Sequence, residues 1–100
     1  MKYPVLLTPP ANDDLLESMA WYDDQKDGLG GQFYTAIVET INTIGANPLL
    51  FAIRTKSIRP APVKRFPFFV FYRFEKPRNR VVVLAILHQS RNPKIWKGRG

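Results

Sequence analysis

Val63-Lys-Arg-Phe-Pro-Phe-Phe-Val-Phe-Tyr-Arg-Phe74 and Arg80-Val-Val-Val-Leu-Ala-Ile-Leu-His88 decide the fold of this 100-residue chain. Aromatic and β-branched residues of this density suit a pleated surface, so Phe68–Glu75 and Arg80–His88 read as strands. The polar Lys76-Pro-Arg-Asn79 loop between them predicts an antiparallel pair. Upstream, Phe51–Val63 holds one further strand or an irregular edge, because Pro60 and Pro62 lack the N–H that a ladder on both sides would need. Downstream, Pro93–Trp96 is long enough for one helical turn.

The first half supplies helices. Tyr3–Leu7 is a short apolar run that fits a strand. Thr8-Pro9-Pro10 then starts a helix, with Thr8 as N-cap and Pro9 at its first position. Asp13, Asp14 and Glu17 are placed where carboxylates favour the positive end of the helix dipole, and Leu15, Leu16, Met19, Ala20 and Tyr22 give an apolar stripe. The helix is expected to end near Lys26, before Gly28-Leu-Gly-Gly31. That glycine run follows a helix and lacks a Lys-Ser/Thr ending, which excludes a phosphate loop and leaves a tight turn between antiparallel helices. Phe33, Ile37, Ile41 and Ile44 mark the second helix, with Tyr34 and Val38 widening its stripe; Gly45 and Asn47-Pro48 end it. The order is β-α-α-β-β-β: a single α+β domain over residues 1–100, with a helical hairpin on one face of a small, mainly antiparallel sheet.

Composition sets further bounds. One domain of this length buries roughly 60–70% of the surface its unfolded chain exposes. With no cysteine and a single histidine, disulfides and thiolate metal sites are excluded, and neither metal nor cofactor is expected. No apolar run reaches the ~20 residues of a membrane helix, and the N-terminal run is too short for a signal peptide, so a cytoplasmic protein without membrane contact is expected. Charge is divided sharply. Residues 1–50 carry two cations against seven acids, net −5, whereas residues 51–100 carry thirteen against Glu75 alone, net +12. Such a field attracts nucleic acid or acidic peptide, although it also suits a merely solvated cationic face.

Strand alternation places Phe68, Val70, Tyr72 and Phe74 on one face and Phe69, Phe71 and Arg73 on the other. In the next strand Val82, Leu84, Ile86 and His88 oppose Val81, Val83, Ala85 and Leu87. Both faces are apolar, and one hairpin covers one face. The other is either a partner site or core covered by loops.

Several ordered motifs together resemble the RelE/ParE superfamily of type II toxin–antitoxin toxins. They are Trp21-Tyr22, Gly28-Leu29-Gly30 with Phe33, Ile44 to Pro48, Arg65-Phe66-Pro67-Phe68 leading to Tyr72-Arg73, and His88 to Trp96. The resemblance spans nearly the whole chain and is stronger to the ParE-like, plasmid stabilisation branch. It implies a growth-inhibiting toxin neutralised by a cognate antitoxin. ParE-like members poison DNA gyrase, whereas RelE-like members cut messenger RNA on the ribosome. The RelE reaction needs a general base, cations for the charged transition state and an acid for the leaving oxygen. Arg54, Lys56, Lys64, Arg65, Arg73, Arg91 and Arg99 can supply cations. No tyrosine or acid follows Glu75, so His88 is the one base left near the C-terminus, unless it merely closes its strand. His88, Arg65 and Arg91 are therefore the catalytic candidates of a nuclease. The missing base favours the gyrase-directed mode over the ribonuclease, and a plain nucleic-acid-binding module is the third possibility. Arg65, Arg73, His88, Arg91 and Arg99 are expected to border one cationic patch, and Phe69 and Phe71 to contact the antitoxin. Trp96 is expected to pack the tail onto the sheet or else to stack a base.

Overall fold

A computed structural model describes residues 2–91. Its elements are β1 (Val5–Leu7), α1 (Pro9–Gln25), α2 (Leu29–Ala46), β2 (Ile58–Pro62), β3 (Phe68–Glu75), a 3-10 turn (Lys76–Arg78) and β4 (Arg80–His88). The expected order of elements is the observed one. The strands lie in the order β1-β4-β3-β2. β1 runs parallel to β4, and the other two pairings are antiparallel. The helical hairpin covers one face of this open, mixed sheet. The expected turn over 93–96, Trp96 and Arg99 lie outside the described residues.

The helices begin and end where local chemistry requires. Thr8 caps α1: its Oγ1 accepts the Ala11 N–H at 3.3 Å, and Pro9 has no N–H to leave unpaired. No acid lies in the first turn, so Asp13, Asp14 and Glu17 fall beyond the reach of the dipole effect. Asp14 serves the sheet instead, since its Oδ2 accepts the Ile86 N–H of β4 at 3.0 Å. The inward stripe of α1 is Ala11, Leu15, Met19 and Tyr22, while Leu16 and Ala20, expected inside, face water. Gly28 opens the interhelical turn at φ 86°, a left-handed backbone that glycine adopts without cost. Gly30 sits where the helices touch: a Cβ there would lie 2.4 Å from the Met19 carbonyl oxygen, and its N–H donates to Asp23 Oδ1 at 2.7 Å.

Between hairpin and sheet lies the main core, with Phe33, Ala36, Ile37 and Ile44 of α2 against Val70, Tyr72, Val81, Val83 and Ile86. Tyr72 is fully buried, and its hydroxyl donates to the Pro48 carbonyl at 2.9 Å. Arg59 Nη1 donates to the Phe51 carbonyl at 2.6 Å, so both bonds tether the segment leaving α2. β2 is an edge strand, which accommodates Pro60 and Pro62 on its open side.

Strict alternation fails in β4. Phe71 pairs with Ala85 and Tyr72 with Val83, so Leu84 is an extra residue inserted between two consecutive pairs, a β-bulge. Val82, Leu84, Ala85 and Leu87 consequently share the face away from the helices, and Ile86 turns to the helix side. The expected grouping of Ile86 and His88 with Val82 and Leu84 is corrected by this one residue. The bulge lies beyond the end of β1, where Thr8 and Asp14 of the helical layer serve the exposed strand edge: Thr8 N–H donates to the Val83 carbonyl at 3.1 Å, and Asp14 accepts from Ile86.

Candidate functional site

The end of the sheet where β3 starts and β4 stops gathers most of the sequence-predicted residues. The turn from β2 into β3 closes by Val63 N–H to the Phe68 carbonyl at 3.0 Å, and it projects Lys64 and Arg65 into solvent. Gln89 N–H donates to the Pro67 carbonyl at 2.8 Å, which draws the exit of β4 alongside that turn. Phe68 pairs with His88, their rings 5.4 Å apart, and Arg91 N–H closes a turn onto the His88 carbonyl at 2.9 Å. Arg65, His88 and Arg91 thus share one end of the molecule, all exposed.

Arg73 does not join them. It stands five residues along β3 from Phe68, about 16 Å at the rise of a strand, and pairs with Glu75 at 2.8 Å. Arg80 holds the other carboxylate oxygen of Glu75 at 2.6 Å. Hydrogen bonds from Arg80, then Arg73, lower the Glu75 pKa below its ordinary value. Glu75, the lone acid of the basic half, holds both arginines that flank the hairpin loop, while Lys76 and Arg78 in the loop are exposed. Strand periodicity places Arg73 and Glu75 on one face, but it carried no signal for Arg80, which reaches Glu75 from the other side of the turn.

His88 is engaged as well. Its Nδ1 accepts the Ser90 N–H at 3.0 Å and lies 2.9 Å from Ser90 Oγ. A backbone N–H can only donate, so the neutral ring carries its proton on Nε2, and its lone pair at Nδ1 is already used. Beside this end a groove of about 580 Å³ runs between α1 and β4. Asp14, Glu17, Trp21 and Tyr22 line one wall, and Phe68, His88 and Arg91 the other. Burial raises the Tyr22 phenol above its usual pKa, and its ring packs among Phe33, Phe66 and Phe68. Sequence reasoning missed Glu17 and Trp21 as groove residues, because facing them across β4 depends on the bulge.

On the face away from the helices, Phe71 is 4% exposed and belongs to a second buried cluster with Ile58, Val82, Leu84, Ala85 and Leu87. Phe69 is half-buried, with the Arg54 guanidinium 5.4 Å from its ring centre. The large apolar side chains that are exposed lie elsewhere, Trp21 on α1 and Leu49, Leu50 and Ile53 in the α2–β2 connection among them.

Two helices on one face of an open mixed sheet, with exposed cations at one end, define the α+β fold. The structure is similar to a chain of the chromosomal ParDE toxin–antitoxin system from P. aeruginosa (TM-score 0.75, 18% identity, covering 87% of this chain and 96% of that one). It is also similar to a chain of the toxin–antitoxin complex RelBE2 from Mycobacterium tuberculosis (TM-score 0.66, 22% identity, 91% and 95% covered). No curated protein sequence matches significantly. The sequence profile described as "ParE toxin of type II toxin-antitoxin system, parDE" matches residues 5–93. The chain belongs to that family, and so to the RelE/ParE superfamily of type II toxins.

Proposed function

We propose that this toxin arrests growth by acting on DNA gyrase without hydrolysing RNA, and that a cognate antitoxin holds it inactive in the cytoplasm. The observation that carries the first half is the state of His88. An RNA-cleaving site of RelE type needs a free base beside its cations, and the Nδ1 lone pair of His88 is taken by Ser90. Tyr22, the phenol that lines the groove, has its pKa raised by burial, which makes it harder to ionise. Cations without a base favour binding over hydrolysis. The antitoxin is proposed to reach the far face at Phe69, the half-buried ring beside Arg54, with Phe71 supporting it from beneath.

The test uses purified systems in parallel. Gyrase-dependent DNA cleavage complexes are the expected result, abolished when the antitoxin is added. Codon-phased cutting of ribosome-bound messenger RNA would refute the proposal and return His88, Arg65 and Arg91 to a catalytic role. Arg91→Ala is expected to relieve growth inhibition while antitoxin binding is kept; a folded Arg91→Ala protein of full toxicity would remove the cationic end from the mechanism.

A further inference from the structure

We propose that the C-terminal segment 92–100 folds back over the face of the sheet away from the helices, with Trp96 seated on Phe71 and Leu84. Ile58, Phe71, Val82, Leu84, Ala85 and Leu87 form the apolar cluster of that face. Leu84 is 1% exposed and Leu87 4%, although both helices pack against the opposite face. A sheet face without a second layer leaves its large side chains open to water, so burial this deep needs a cover. The described residues do not supply it. Phe69, on the same face, is the one partly buried apolar side chain among them that packs against the cluster. In the α2–β2 connection Leu49, Leu50 and Ile53 are themselves exposed, and Arg54 meets the Phe69 ring.

The burial belongs to the single chain, so its cover is part of that chain rather than a second copy or another protein. Outside the described residues lie Met1 and residues 92–100. Met1 is one side chain, two residues before Tyr3, whose N–H donates to the Gly45 carbonyl in the helical layer. The C-terminal segment, Asn92-Pro-Lys-Ile-Trp-Lys-Gly-Arg-Gly100, follows β4 closely. The bond from Arg91 N–H to the His88 carbonyl closes a turn there, which begins the reversal that a returning segment needs. From Arg91 to Trp96 the chain can reach about 17 Å, and Leu84 stands about 13 Å back from His88 along β4. Ile95 and Trp96 are the large apolar residues of the segment, and a tryptophan buries about 150–250 Å². The groove beside α1 is the other surface within reach, but the Trp21 ring that lines it is 58% exposed. A segment seated there would cover that ring, whereas the face already covered is the one across β2, β3 and β4. The cover does not depend on which enzyme the toxin arrests. An antitoxin at Phe69 then meets the rim of this cover, and its failure to bind there would leave the cover standing.

The test is nuclear magnetic resonance of the full chain, made by cell-free synthesis, with nuclear Overhauser contacts read from the Trp96 indole. Contacts to the Leu84 and Leu87 methyl groups are expected. Contacts to Trp21 or Ile86 would seat the segment in the groove and overturn the proposal, as would an indole that contacts neither surface. In a mixture of labelled and unlabelled protein, contacts found only between chains would make the cover a second copy and overturn it too. A second measurement uses Trp21→Phe, which leaves Trp96 as the sole tryptophan. Its acrylamide quenching constant is expected to be several-fold smaller than in the same chain unfolded in urea; equal constants would refute the seat. Trp96→Ala is expected to lower the urea midpoint and to raise binding of the hydrophobic dye ANS, because Phe71 and Leu84 lose their cover. If that variant does not fold, the wild-type contacts decide. A folded Trp96→Ala protein with unchanged midpoint and dye signal would mean that another part of the chain closes the face.

Discussion

Gly30→Ala tests the hairpin that positions the groove. The added Cβ would lie 2.4 Å from the Met19 carbonyl oxygen and 2.7 Å from the Asp23 carboxyl carbon. The carbonyl is backbone, and 2.4 Å is 0.6 Å inside the 3.0 Å that Cβ atoms essentially never breach, so α1 and α2 must separate. Such overpacking costs about 1–3 kcal/mol. Separation also lengthens the 2.7 Å bond from Gly30 N–H to Asp23, a charge-assisted bond with a net value of about 1 kcal/mol or more. Alanine returns about 1 kcal/mol through its better helix propensity. The balance is a destabilisation of about 2 kcal/mol, read as a lower urea midpoint at unchanged m-value. Gly31→Ala is the matched control: nothing lies within 4 Å of the position its added methyl would take, so propensity alone acts and stability is expected to rise by about 0.5–1 kcal/mol. Opposite signs at adjacent glycines are the expected result. A Gly30→Ala protein as stable as Gly31→Ala would refute the close helix contact.

Tyr72→Phe removes the hydroxyl that the buried ring donates to the Pro48 carbonyl and is expected to cost about 1–2 kcal/mol in chemical denaturation. Asp14→Ala removes the acceptor of the Ile86 N–H at the bulge; faster amide exchange at Ile86 is expected, and unchanged exchange would mean that the bond does not hold the edge. Glu75 has a folded pKa below its ordinary 4.5, so its contribution to stability is present above that ordinary value and is lost as pH falls through the lowered folded value. Melting temperatures of the wild type and Glu75→Gln should therefore differ near neutrality and converge in acid; a gap that persists below the folded pKa would contradict the Arg73–Glu75–Arg80 arrangement.

The fold was legible because its signals are local. Thr8-Pro9 starts a helix, Gly28 opens a turn, and Pro60 and Pro62 confine β2 to an edge, each through the chemistry of one or two residues. The parallel pairing of β1 with β4 and the bulge at Leu84 were not legible. Strand partners distant in sequence, and an extra residue in an unbroken run Val81-Val-Val-Leu-Ala-Ile-Leu87, leave no trace in a pattern that is apolar at every position. The site depends on the same long-range pairing. Arg65, His88 and Arg91 come together because the start of β3 and the end of β4 are neighbours, whereas Arg73 is taken by Glu75, two residues along its own strand.

The centre of the sheet is the strand made last. β4 lies between β1 and β3, and a bond such as Thr8 N–H to the Val83 carbonyl spans nearly the whole chain. Loops of that length close late and slowly. A chain that stops short of residue 80 keeps the β2–β3 pair but lacks the strand that joins it to β1, and with that strand one wall of the groove, His88 and Arg91. The two walls of the groove are thus assembled together, from the first helix and the last described strand, and a truncation before β4 removes one of them outright.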